Sequence, residues 1–212
     1  MALQARAEAT RSRIIESAVD LFGELGYGET GLADILARAS VSKGAFYYHF
    51  DSKEAVAEAI IDDFRNRSLV VVLGKIGEAP PDLDGVIQAT FASSAFMQTD
   101  KTAKVGNQLV QALTQISGAG SRTYGDWTAE FVAVIERAIQ TCDLRADLDA
   151  ADVAETVWAG MLGCQLLSSA IGDDPFARLA RTWRVLLTPI VAEDSRAHFH
   201  DLLDRQAHSY AS

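Results

Sequence analysis

Apolar residues in this chain recur at helical spacing, and no stretch alternates with the period of two that a strand requires. Ile14, Ala18, Leu21, Phe22 and Leu25 fall at i, i+4, i+7, i+8 and i+11, one face of a 3.6-residue helix. Leu32, Ile35, Leu36 and Ala39 repeat the pattern over a shorter length. With only 4 prolines in 212 residues, the spacing predicts an all-α fold of nine or ten helices. They cover about 5–25, 32–39, 43–49, 53–74, 82–98, 101–116, 122–142, 150–171 and 175–192, with a frayed polar helix over about 195–208. Gly26 is placed to end the first helix, and Thr30 and Ser42 to cap the second and third. Asp51 and Glu54 have capping-box spacing before the fourth. Pro80-Pro81, the Gly118-Ala119-Gly120-Ser121 stretch, Asp147-Leu148-Asp149 and Gly172-Asp173-Asp174-Pro175 read as breaks.

Composition narrows the class. Hydrophobic residues make up 49% and charged ones 23%, enough apolar surface to fold. Two cysteines, Cys142 and Cys164, exclude a disulfide framework and a four-cysteine zinc site. No apolar run approaches the ~18 residues of a membrane span, and MALQARAEATRSR lacks the apolar core of a signal peptide. The expected compartment is the cytoplasm.

The formal charge of −10 argues against nucleic acid when taken as a sum, but its distribution does not. Residues 1–53 hold six Lys and Arg against seven Asp and Glu; residues 54–212 hold thirteen against twenty-two. Arg6, Arg11 and Arg13 cluster near the start, and Arg38, Lys43 and Lys53 form a second group. Because salt screens charge over ~10 Å at 0.1 M, these clusters outweigh the total. The acidic remainder keeps the rest of the chain off a duplex.

Residues 32–49 read helix, tight turn, helix. That is the helix-turn-helix, whose second helix enters the major groove of DNA. In the second helix Phe46 and Phe50 lie at i and i+4 and serve as anchors. Ser42, Lys43, Gly44, Tyr47, Tyr48 and His49 are left for solvent or a polyanion, with Gly44 permitting close backbone approach. Lys53 opens the next helix, where amide donors also attract phosphate.

Thr30 to Lys53, TGLADILARASVSKGAFYYHFDSK, resembles the DNA-binding signature of TetR-family transcriptional regulators, and the first helix shares in the match. The resemblance implies a homodimer with a three-helix DNA-binding domain at 1–52 and an all-α effector-binding and dimerisation domain at 53–212. It implies that Lys43 and Tyr47 face bases or nearby phosphates and that Tyr48 and His49 touch sugar-phosphate, with Tyr48 partly packed inward. Lys53 would clamp a phosphate and Thr30 support one. Arg6 and Arg11 join the set from the basic start. The stretch from Asp126-Trp127-Thr128 to Gly163, with RAEATRSRIIESAVDLFGELGY, is similar to the γ-butyrolactone receptor branch. Members of that branch repress antibiotic-production and signalling genes and leave DNA when a butyrolactone, butenolide or furan binds, and a pocket-wall tryptophan falls at Trp127.

An effector cavity in this architecture is apolar with a few polar groups. Its expected lining is Phe64, Gln88, Phe91, Val110, Leu113, Trp127, Phe131, Met161 and Gln165. Segments 150–171 and 175–192 carry too many apolar positions for one-sided burial: Val153, Val157, Trp158, Met161, Leu162, Leu166, Leu167, Leu179, Trp183, Leu186, Leu187 and Ile190. They are the expected intersubunit four-helix bundle, with Gly160 and Gly163 allowing close approach. The helix over 53–74 is the expected lever between effector and DNA. A repressor of an efflux or catabolic gene that answers to another lipophilic molecule is the alternative.

No cofactor or metal is expected, since His198 and His200 lack further ligands and read as solvated. The aspartates at 147, 149, 173 and 174 read as caps and solvated faces, and the cysteines as small buried side chains. The Gly118–Ser121 stretch lacks the lysine of a phosphate-binding loop. No nucleophile-base pattern stands in context, so the chain reads as a non-enzyme whose partners are a double-stranded DNA operator, a small-molecule effector and its own copy.

Overall fold

The computed structural model describes residues 2–76, 82–116, 118–141 and 143–210. The side chains of residues 2, 3, 73, 76, 114–116, 118–124, 126–128 and 130 fall outside that description, as do Pro80-Pro81 and Cys142. Ten α-helices follow one another among the described residues: α1 (Ala2–Leu25), α2 (Leu32–Ala39), α3 (Lys43–Tyr47), α4 (Lys53–Ile76), α5 (Leu83–Thr99), α6 (Lys101–Ile116), α7 (Gly118–Gln140), α8 (Ala150–Ile171), α9 (Pro175–Ile190) and α10 (Arg196–Tyr210). A 3₁₀ turn at Glu193–Ser195 precedes the last. The single extended pairing among these residues is an isolated bridge between Leu144 and Val191. The all-α class is what the apolar spacing dictated.

The contacts gather into two compact units, Met1–Ser68 with Met97–Thr123, and Leu69–Phe96 with Tyr124–Ser212. Packing therefore does not divide the chain at residue 52, and α6 belongs to the unit of α1, α2 and α3.

In the first unit α1 packs on α2, α3 and α6. Ile14, Ala18, Leu21 and Phe22 form its buried face, while Leu25 is half exposed. Gly26, at φ +85°, ends α1 with its N–H on the Phe22 carbonyl, the left-handed stop that glycine adopts without strain. The start of α6 is held by charge and by shape. Asp100 caps it, accepting from the Ala103 N–H at 2.8 Å, and pairs with Arg67 of α4. Lys101 pairs with Asp20 of α1 at 2.5 Å. Further on, a Cβ at Gly106 would stand 2.5 Å from the Phe64 Cβ, so only glycine lets α6 lie this close to α4.

The second unit is built around Trp183. Its indole N–H donates to the Thr90 hydroxyl at 2.9 Å, which donates to the Ile87 carbonyl at 2.7 Å. A buried indole finds its partner here inside the core. Leu83, Phe91, Ile135, Val157, Leu179 and Leu187 complete that core. Asp149 caps α8 and Asp174 caps α9 with Pro175 in its first turn, as their spacing suggested. Asp147 pairs with Arg145 at 2.5 Å and Asp173 with Arg178.

Three expectations need correction here. Helix α7 begins at Gly118 and runs through the stretch read as a loop, although its two glycines each cost ~1 kcal/mol in a helix. The terminal helix α10 is docked, not frayed, because Phe199, Leu202 and Leu203 are buried and Tyr210 stacks on Phe176 at 5.1 Å. His198 is not merely solvated, since its Nε2 lies 2.7 Å from Asp84.

Candidate nucleic-acid interface

Helices α2 and α3 enclose a turn that the backbone closes tightly. Ser40 takes φ +52°, and the amides of Ser40 and Val41 donate to the carbonyls of Ala37 and Leu36. Asp34 accepts from the Gly31 N–H at 2.8 Å, so Gly31 and not Thr30 occupies the cap position of α2. Ser42 caps α3 as its position suggested, accepting from the Ala45 N–H at 3.1 Å.

The short α3 is anchored from beneath. Phe46 is fully buried and Phe50 nearly so, with ring centres 6.0 Å apart. The opposite side is open. Ser42, Lys43, Gly44, Tyr47 and Tyr48 are exposed and His49 is half-buried. Tyr48 is 77% exposed, which corrects the expectation that it packs partly inward. The Lys43 ammonium lies 5.9 Å from the centre of the Tyr47 ring, within reach of a cation–π contact that holds both toward the same side. Tyr48 and His49 meet edge to face at 4.9 Å.

Two residues expected near phosphate do something else. Thr30 is 1% exposed and its hydroxyl donates to the Gly26 carbonyl at 2.8 Å, which leaves it no face for DNA. The Lys53 ammonium donates to the carbonyls of Tyr27 and Thr30, both at 2.8 Å, and lies 4.2 Å from the Tyr27 ring centre. It fastens the start of α4 to the turn after α1 and does not project as a clamp. The Asp51–Glu54 capping box is replaced by Ser52, which accepts from the Ala55 N–H. Burial pushes the Tyr27 phenol upward, and the charges of Glu54 and Glu58 add to that, so the ring under Lys53 is neutral. Arg38, counted in the second basic group, forks onto Glu24 with distances of 3.2 and 2.9 Å, and that hydrogen bond holds the Glu24 carboxyl below its ordinary range. Sequence reading missed both pairings because Glu24 and Lys53 meet partners 14 to 26 residues away.

Arg6 and Arg11 are exposed on α1. The Arg11 guanidinium stands 5.2 Å from the centre of the Phe50 ring, beside the end of α3.

The residues expected to line an effector cavity fall into the two units. Phe64, Val110 and Leu113 are buried in the first. Phe91 lies in the core of the second, with Phe131 and Met161 packed against it; Phe131 meets Trp158 with ring centres 6.3 Å apart. Gln88 and Gln165 belong to the second unit and are half-buried. Trp127 lies on α7, its side chain outside the described residues. A half-open cleft of about 340 Å³ in the first unit is lined by Phe22, Gly23, Gly26, Tyr27, Val105, Gln108, Leu109 and Ala112, none of which was expected at an effector site.

Helices α8 and α9 pack on each other and split their apolar residues between two sides. Val153, Val157, Leu179, Trp183 and Leu187 face the core, while Leu166, Leu167, Ile171 and Val185 stand exposed at 47–73%. Gly160 lies against Thr182 and Leu186 of α9 in the same chain.

Comparison with known proteins matches residues 14–60 to the family described as bacterial regulatory proteins, tetR family. Residues 119–186 match the tetracyclin repressor-like C-terminal domain. The chain is 31% identical over 201 residues to the A-factor receptor protein of Streptomyces griseus, covering 93% of this chain and 70% of that one. It is similar to the structure of CprB from Streptomyces coelicolor in complex with its biological operator sequence, at 27% identity and a TM-score of 0.78, over 93% of this chain and 97% of that one. A crystal structure of a gamma-butyrolactone receptor, an ArpA-like protein, matches at 28% identity and a TM-score of 0.78, over 96% and 99% of the two chains.

Proposed function

We propose, on the premise that this chain belongs to the TetR family of bacterial regulatory proteins, that it is a dimeric repressor released from a pseudo-palindromic operator by a γ-butyrolactone, butenolide or furan signal. The observation that carries the reading is the open side of α3, with Lys43, Gly44, Tyr47 and Tyr48 exposed above the buried Phe46. A capped helix held by one aromatic and bare on its other side is shaped to enter a groove. Lys43 and Tyr47 read base edges, while Ser42, Tyr48 and His49 position the helix on sugar and phosphate.

Two copies of α3 reach successive major grooves about 34–36 Å apart. The exposed Leu166, Leu167, Ile171 and Val185 support α8 and α9 as the surface that joins the copies, since large apolar side chains grouped in the open call for a partner. The effector acts by preferring the dimer shape that mismatches the operator, and its leverage is its differential affinity, ~1–3 kcal/mol of coupling. The likeness to the gamma-butyrolactone receptor structure over nearly the whole of both chains supports a signalling lactone over other lipophiles, with antibiotic or secondary-metabolite genes under control.

The test is fluorescence anisotropy on a duplex that the protein selects from a randomised library. Release by micromolar synthetic γ-butyrolactones, butenolides or furans supports the reading. Release only by lipophilic drugs assigns the chain to an efflux or catabolic regulator instead.

A further inference from the structure

We infer that affinity for DNA and reading of its sequence are divided between two elements: the arginines of α1, Arg6, Arg11 and Arg13, carry most of the phosphate attraction, and α3 supplies the sequence reading with one free cation. The inference rests on the proposed DNA-binding role and concerns where the charge for it resides.

The argument is a census of cations in the helix-turn-helix region. Six Lys and Arg occur in residues 1–53. Arg38 is engaged by Glu24, and Lys53 by two carbonyl oxygens. No carboxylate pairs with Arg6, Arg11, Arg13 or Lys43 among the described residues. Three of these four lie on α1 and one on α3. All three arginines are exposed, and all precede the stretch that matches the family, residues 14–60.

Two of the three, Arg6 and Arg13, are placed along one phosphate track. Arg6 and Arg13 are seven residues apart, two turns along one side of the helix, ~10 Å by the rise of 1.5 Å per residue. The acidic residues of the same side, Asp20 and Glu24, come later and are engaged by Lys101 and Arg38. The negative end of the stripe is thus neutralised within the protein and the positive end is open. Arg11 lies roughly 140° around the helix from Arg6 and faces the end of α3: its guanidinium stands 5.2 Å from the centre of the Phe50 ring, the ring beside Phe46.

Counterion release makes this measurable. Four cations per protomer, Lys43 at the base edges included, displace counterions at eight places in a dimer, and log K then falls with log salt with a slope of about −7. The variant Arg6→Gln/Arg13→Gln removes four contacts and leaves a slope of about −3.6. Arg11 is left in place because it packs on Phe50. Binding would weaken about twenty-thousand-fold for the parent between 50 and 200 mM salt, but about 150-fold for the variant.

The experiment titrates both proteins against the library-selected duplex and against a random-sequence duplex of equal length, with thermal melting as the check on folding. The inference expects a halved slope on both duplexes, an unchanged ratio between them, and recovery in Arg6→Lys/Arg13→Lys. Lys43→Ala is expected to do the reverse, lowering the ratio and making the slope shallower by about 2 at most. A parent that binds its selected duplex while Arg6→Gln/Arg13→Gln keeps the parental slope overturns the division of labour and leaves the proposed function standing. A parent that selects no duplex overturns both.

Discussion

The Lys53 ammonium donates to the Thr30 carbonyl oxygen across 2.8 Å, bridging 23 residues of sequence. With its second bond to Tyr27, it closes the turn that carries the chain from α1 to α2. Hydrogen bonds to a charged group contribute about 1.5–3 kcal/mol when buried, and less where water shares the group. Lys53→Met keeps the aliphatic stem and removes the donors. We expect a loss near 1–2 kcal/mol, a fall of about 2–8 °C in Tm for a chain of this length, and an operator salt slope no different from the parent. An unchanged Tm with a shallower slope would return Lys53 to the phosphates.

Ser42 separates two roles that coincide at one position. Its oxygen caps α3, and it stands on the side proposed to meet DNA. Ser42→Ala removes the cap, worth about 0.5–2 kcal/mol, so stability and operator affinity fall together. Ser42→Asp restores the cap with a stronger acceptor but adds a negative charge opposite phosphate. The expected outcome is a melting curve restored to the parent and binding weaker than that of Ser42→Ala. Equal binding by the two variants would place Ser42 away from the duplex.

These two positions mark what the residues disclosed and what they concealed. The cap at Ser42, the anchors Phe46 and Phe50, and the aspartates before α8 and α9 act within one or two turns of chain, and local spacing is enough to find them. Thr30, Arg38 and Lys53 have partners set by which loop returns to which helix, information that periodicity does not carry. Their polar character therefore read as surface chemistry, when it holds the helix-turn-helix together. In the body the apolar pattern is two-sided, and only packing assigns Trp183 inward to Thr90 and Leu166, Ile171 and Val185 outward. Docking of α10 was written in Phe199, Leu202 and Leu203 at i, i+3 and i+4, a short stripe outweighed by the charges around it.

Gly106 tests how closely α6 must lie on α4. A methyl group there meets the Phe64 Cβ itself, which no rotamer change can move aside. Overpacking of a filled contact costs about 1–3 kcal/mol, against the ~1 kcal/mol that alanine gains over glycine in a helix. Gly106→Ala is expected to be destabilised on balance in urea denaturation. Phe64→Leu, which retains the Cβ, gives no relief when combined with it. A more stable Gly106→Ala would mean that α6 can slide without cost.

Asp100 predicts a pH response in the same region. Burial works to raise its carboxyl, but the hydrogen bond from Arg67 and the amides at the start of α6 outweigh that and hold it below the ordinary carboxylate value. A group whose folded-state value is depressed gives stability that is present above its unfolded value, about 4, and lost as pH falls through the folded one. Glu24, Asp147 and Asp173 are lowered in the same direction by Arg38, Arg145 and Arg178, so the whole protein weakens in acid and Asp100 must be isolated by difference. Asp100→Asn keeps a capping oxygen for α6 and removes the charge that Arg67 needs. The stability gap between parent and Asp100→Asn should be constant from pH 7 to about 5 and close as the pH drops below about 4. Urea midpoints of the two proteins across that range decide it: a gap absent at pH 7 would show that Asp100 contributes through its cap alone, and a gap that persists undiminished into acid would show that its charge does not fasten α6 to α4.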